Sequence, residues 1–132
     1  MKKQRFRKLT AEERQFLDRL LELPFPGRDE LRLQANAATA REIAEDGDNY
    51  GSLKLRAIAT PRAAVVQRVP VMALANDVDE VPIEFLLHVV DGVLDELEIL
   101  KLDGSPIVNR PKPLDLRVRA HGPGDIHASY QR

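Results

Sequence analysis

The chain has 132 residues, 43% of them hydrophobic, which is the size of one domain able to bury roughly two thirds of its unfolded surface. A formal charge of -1 and an isoelectric point near 6.3 argue against a nucleic-acid surface, and the lack of cysteine excludes disulfide frameworks, zinc ribbons and thiol catalysis. No apolar run reaches the roughly eighteen residues of a membrane span. The start Lys2-Lys3-Gln4-Arg5-Phe6-Arg7-Lys8 lacks the apolar stretch of a signal peptide, so a cytoplasmic setting without a membrane partner is expected.

Thr10-Ala11-Glu12-Glu13 has the spacing of a capping box, the threonine accepting from a free helix amide while Glu13 reaches back. The helix it opens carries Phe16, Leu17, Leu20 and Leu21 as one apolar stripe, and Leu23-Pro24 ends it. After the Pro26-Gly27 turn, Arg28-Asp29-Glu30-Leu31 begins a shorter helix to about residue 38, with Leu31, Ala35 and Ala38 on one side. Residues 40–44 read as a first strand, 46–51 as a turn, and Leu53, Leu55 and Ala57 as the inward set of a second strand. Residues 65–74 read as a third strand, whose Pro70 argues for a sheet edge or a bulge. An acidic loop over 76–80 follows.

Residues 81–102 specify a β-hairpin. Val81, Ile83, Phe85, Leu87 and Val89 alternate and so share one buried face; after Asp91-Gly92 the return strand offers Val93, Leu97 and Ile99. A two-residue turn in straight register would place Glu96 and Glu98 on the core face, where unpaired carboxylates are costly. A three-residue loop, Val90-Asp91-Gly92, avoids this by pairing Val89 with Val93, Phe85 with Leu97 and Ile83 with Ile99, and it is the register expected. Glu84, Leu86, His88, Leu94, Glu96, Glu98 and Leu100 then look outward, with Glu84 roughly opposite Glu98. Like charges so placed repel, so something basic is expected to cover or bind them.

Asp103-Gly104 turns the chain, and Leu114, Leu116 and Val118 alternate in a last short strand. From Ala120 onward, Gly122, Pro123 and Gly124 among few apolar residues predict disorder. The expected organisation is a single domain over 1–119 with a disordered tail over 120–132. Its predicted class is α+β: two N-terminal helices packed on one face of an antiparallel sheet of about five strands. The other sheet face is the candidate functional surface.

Charge is segregated along the chain. Residues 77–105 hold nine acids against Lys101, whereas Lys2, Lys3, Arg5, Arg7 and Lys8 precede the first helix. His88 beside Glu84, Glu96 and Glu98 is the nearest approach to a constellation, since a carboxylate can orient imidazole for proton transfer or metal ligation. A single histidine reads more simply as a surface group bonded to a neighbouring acid. Ser52 and Ser105 follow glycines in turns without G-x-S-x-G, residues 46–49 lack the later ligands of a calcium loop, and no glycine pattern cradles phosphate. No catalytic residue, metal ligand or cofactor is therefore assigned, and the residues lean away from an enzyme.

Phe25-Pro26-Gly27-Arg28-Asp29-Glu30-Leu31-Arg32-Leu33-Gln34, Gly51-Ser52-Leu53, L-L-H-V-V-D-G over 86–92, E-L-E-I over 96–99 and D-G-S-P-I over 103–107 resemble a family of small bacterial proteins known only as a domain of unknown function. The resemblance runs from about Leu9 to Leu116. Its pattern has Asp-Gly in the loop before the hairpin, where this chain has Asp79-Glu80. The resemblance implies no activity; its size and style suggest an immunity-like, partner-neutralising role.

The function expected from these readings is a non-enzymatic protein-interaction module that binds a basic protein partner through Asp77, Asp79, Glu80, Glu84, His88, Glu96 and Glu98. Its rival is a small-ligand binder or enzyme with a pocket near His88. Nucleic acid is not an expected partner, and self-association as a homodimer through a strand edge is a further option.

Overall fold

The hairpin lies inside a seven-stranded antiparallel sheet, seen in a computed structural model that describes residues 5–58 and 61–121. The strands are β1 (Arg7–Lys8), β2 (Thr39–Glu42), β3 (Leu53–Arg56), β4 (Val71–Asn76), β5 (Pro82–Val90), β6 (Val93–Lys101) and β7 (Arg117–Ala120), in the order β1-β2-β3-β6-β5-β4-β7. Two α-helices, α1 (Ala11–Leu20) and α2 (Arg28–Asn36), and one short 3-10 turn complete the regular structure of the described residues. The class is α+β as expected, but the sheet has seven strands where about five were predicted.

The difference has local causes. β1 is two basic residues long and carries no alternation to find; it exists because Arg7 and Lys8 pair with Ala40 and Thr39. Residues 65–70 are not a strand. β4 begins after Pro70 and lies between β5 and β7, so the proline stands just outside an interior strand, and its carbonyl accepts from His121 N–H. Leu114, expected in the last strand, lies instead in a short 3-10 turn (Pro113–Asp115) and is exposed. Ala120 pairs with Val71 and closes β7, while residues 122–132 of the expected tail lie outside the described residues.

The capping box forms as written: Thr10 Oγ accepts from Glu13 N–H, and Glu13 Oε1 accepts from Thr10 N–H at 2.9 Å. Phe16, Leu17, Leu20 and Leu21 are all buried in the same core as Ile83, Phe85, Leu87, Leu97 and Ile99. Phe16 and Phe85 stack with centroids 5.3 Å apart. Gln34 on α2 is fully enclosed; its amide donates to Pro61 and Gly92 carbonyls while its oxygen accepts from Leu94 N–H. That side chain ties two backbone groups of the hairpin tip to the loop at Pro61, and the Gly92 carbonyl accepts from Ala63 N–H as well.

The hairpin register corrects the sequence reading. The turn has two residues, Asp91 (φ 52°) and Gly92 (φ 76°), so Val90 pairs with Val93 and Val89 with Leu94. Asp95 is then an extra residue in β6, and beyond this bulge His88 pairs with Glu96, Leu87 with Leu97 and Phe85 with Ile99. The bulge resets the two-residue alternation, so Leu94 and Leu97 both face the core and Glu96 and Glu98 still face out. The cost of burying two glutamates governs the register, as the sequence implies, but a bulge meets it rather than a longer loop. Two expectations change in consequence: Leu94 is a core residue, and Glu84 lies opposite Leu100 rather than Glu98.

The new register carries β6's inward set one step further, to Lys101, which pairs with Ile83 and has no exposed side-chain surface. Its ammonium donates to Asp77 Oδ2 at 2.9 Å, to Asp79 and to the Pro106 carbonyl, which accounts for all three of its protons.

Candidate functional site

Outward from the core, the sheet places its charges in stripes. The register puts Lys54 of β3 beside Glu96 of β6, Glu96 beside His88 of β5, and Glu98 beside Leu86. On the far side, Leu86 adjoins Met72 of β4, which adjoins Arg119 of β7, and Glu84 adjoins Leu74 and then Arg117. The acidic strip along the hairpin is thus flanked by basic side chains on both sides. Part of the basic cover expected for it is supplied within the molecule.

His88 is the hub of this strip. Its Nε2 lies 2.8 Å from Glu98 Oε1, and Arg68 Nε donates to its Nδ1 at 3.0 Å. A guanidinium can only donate, so Nδ1 accepts, and the ring proton sits on Nε2 and points at Glu98. Arg68 also approaches Asp95 Oδ2 at 3.6 Å, and Lys54 Nζ donates to Asp95 Oδ1 at 2.8 Å. The bulge residue is therefore the anchor for both cations beside the histidine. His88, Glu96 and Glu98 are each half-buried, and their nearest donor atoms lie within 4.8 Å of one another.

The seven predicted site residues fall into two groups. Glu84, His88, Glu96 and Glu98 share the outward face of the hairpin. Asp77, Asp79 and Glu80 belong to the loop at its far end. Asp77 there has no exposed side-chain surface: it holds Lys101 and accepts from the amides of Val78, Val108 and Asn109. Desolvation alone would push its carboxyl up, but the hydrogen bonds from Lys101 and these amides outweigh that and hold it well below the ordinary carboxylate range. The same two aspartates raise Lys101 against its own desolvation, the contact with Asp79 leading. Asp77 presents nothing to a partner directly; it orders the loop that presents Asp79 and Glu80, both exposed.

Three contributors escaped the sequence reading. Lys101 had a usable signal, because it stands two residues after Ile99 in an inward series. Asp95 and Arg68 had none, since one depends on the bulge and the other on a loop brought twenty residues back to His88.

Two cavities among the described residues lie elsewhere. One of about 480 Å³ is walled by Arg7, Glu12, Glu42, Tyr50 and Arg110, and one of about 320 Å³ by Asp18, Arg19, Glu22 and Leu114. In the first, Arg110 pairs with Glu12 and lies over Tyr50, while Arg7 is bound by Glu13 and Glu42.

Fold and site together define a small α+β sheet domain with a charged hairpin face. The chain belongs to the family described as a domain of unknown function, DUF6984, whose model matches residues 6–111. No curated protein and no solved structure matches it. Several of the motif words that resembled a family serve architecture. Arg28 donates to the Leu21 and Glu22 carbonyls at the end of α1, Ser52 Oγ bridges the amide and carbonyl of Ile99, and Asp103 caps Ser105. Glu80, in the loop before the hairpin, adopts φ 67°. His88 differs from these in that its ring turns away from the core. No helix among the described residues is long and apolar enough to cross a membrane.

Proposed function

We propose that the outward face of the β5–β6 hairpin is a docking surface for a protein partner with exposed lysine and arginine side chains. The chain then acts without catalysis, as an immunity-like module that occupies its partner in the bacterial cytoplasm. Glu96 and Glu98 at the centre, Glu84 beside them, and Asp79 and Glu80 at the end of the hairpin supply the charge, and His88 supplies a flat ring between the glutamates. The observation that carries this reading is the bulge at Asp95, which turns both glutamates of β6 to the open face. A strip of half-buried acids along one strand face suits a surface more than a substrate, and the cavities described above are not lined by His88.

Charge on a rim governs association more than residence. Wild-type protein immobilised in chelator-containing buffer is expected to retain a stoichiometric partner from native host lysate at low salt and release it at high salt. The Glu96→Lys/Glu98→Lys variant is expected to retain none. A purified partner whose association rate ignores both ionic strength and this charge reversal would sink the reading.

A further inference from the structure

We propose that His88, Glu96 and Glu98 form a binding site for a divalent first-row transition-metal ion such as Zn2+, and that Arg68 is the side chain this ion displaces. Glu96 and Glu98 are two apart on one strand and so share a face, and His88 is the direct cross-strand partner of Glu96. Three donor groups therefore converge from two strands whose backbones are hydrogen-bonded to each other, with donor atoms within 4.8 Å of one another. The 2.8 Å between His88 Nε2 and Glu98 Oε1 is a hydrogen-bond distance, which an ion bound tetrahedrally at about 2.1 Å would open to about 3.4 Å, a small adjustment for two side chains already aimed at each other. One imidazole with two carboxylates suits zinc or manganese better than calcium or magnesium, and it leaves positions for water.

Arg68 makes the site conditional. While its Nε donates to Nδ1, the ring proton occupies Nε2, the atom that must offer a lone pair to the metal. Loading requires the other tautomer: Nε2 gives up its proton and Nδ1 takes one up, which it can do only once Arg68 has turned away. Arg68 is free to turn, since its side chain is 58% exposed and Asp95 already stands 3.6 Å from its Nη2. The site stands independently of the docking reading. If both hold, two positive charges at Glu96 and Glu98 cancel the acidic strip, and metal weakens docking.

The test is a titration of the chelator-stripped full chain with Zn2+ alone, followed by calorimetry and by the nitrogen resonances of the imidazoles. One equivalent is expected to bind saturably and to move the Nε2 resonance of His88. His88→Ala and Glu98→Gln should each weaken binding by about 100-fold, and Arg68→Ala should tighten it by about tenfold, the scale on which ligand-orienting groups act. The wild-type resonance shift is read without any variant, so a misfolded mutant does not spoil the test. No saturable binding, an unmoved His88 resonance, binding indifferent to His88→Ala, or weaker binding by Arg68→Ala would each overturn the proposal. Docking measured in chelator fails or succeeds separately.

Discussion

Asp77→Asn is the sharpest probe of what orders the end of the hairpin. Asp77 Oδ2 accepts from Lys101 at 2.9 Å and Val108 N–H at 2.7 Å, and Oδ1 accepts from Val78 N–H at 2.7 Å and Asn109 N–H at 2.9 Å. Asparagine keeps one acceptor oxygen. Whichever way its amide turns, the NH2 group faces two donors, so two bonds are lost in a site with no solvent to replace them. If the NH2 faces Lys101, the buried ammonium keeps the Pro106 carbonyl but retains only Asp79 as a counter-charge, whose side chain is 41% exposed. Losing two charge-assisted hydrogen bonds and half of a buried counter-charge should cost about 3–5 kcal/mol. With a urea dependence of about 1.5 kcal/mol per molar, the midpoint followed by far-ultraviolet circular dichroism should fall by about 2–3 M. Asp79→Asn, at the wetter position, should fall by clearly less. A loss below about 1 kcal/mol in Asp77→Asn would refute the reasoning, because it would mean the cluster is not a dry, fully bonded node.

The same cluster sets an acid limit. Asp77 and Glu13 are both held below their ordinary carboxylate values, each against a desolvation that would raise it: Asp77 by Lys101 and backbone amides, Glu13 by Arg7 and Thr10. Stability from a depressed carboxyl is fully present above the unfolded value and lost as pH falls through the folded one. Wild type should therefore hold its stability down to about pH 4 and lose it steeply toward pH 2, and Asp77→Asn should show a shallower decline. Parallel curves would contradict the assignment. The bulge is tested by a pair of substitutions: Leu94→Asp, in the core, should destabilise by about 3 kcal/mol or more, whereas Val93→Asp, half-buried, should cost little. The straight three-residue register reverses that order. Glu80 adopts a left-handed backbone that glycine enters freely, so Glu80→Gly should cost nothing or stabilise by up to about 1 kcal/mol, measured by urea unfolding. A clear loss would show that the side chain is needed there.

Much of this fold was legible because short-range chemistry writes it. The capping box and the stripe Phe16, Leu17, Leu20 and Leu21 depend only on helical spacing, and the structure buries those four apolar residues. The outward facing of Glu96 and Glu98 was legible too, since two unpaired carboxylates inside a core are costly whatever turn precedes them. The means was not. A longer loop and a two-residue turn with a bulge satisfy the same alternation, and the choice falls to Gln34, whose enclosed amide holds the Gly92 carbonyl and Leu94 N–H from another element.

The sequence by itself determined which side chains had to be hidden and which had to be wet, because apolar periodicity and the cost of desolvating charge act over a few residues. Only the tertiary structure decided which charges neighbour one another. Arg68 reaches His88 across twenty residues, Lys54 reaches Asp95 across forty-one, and Lys101 enters the core because Asp77 and Asp79 are there to receive it. Ion pairs and metal-ligand sets are made by proximity in space, and proximity at that range is set by strand order, β3 beside β6 beside β5, which no local pattern in the chain encodes.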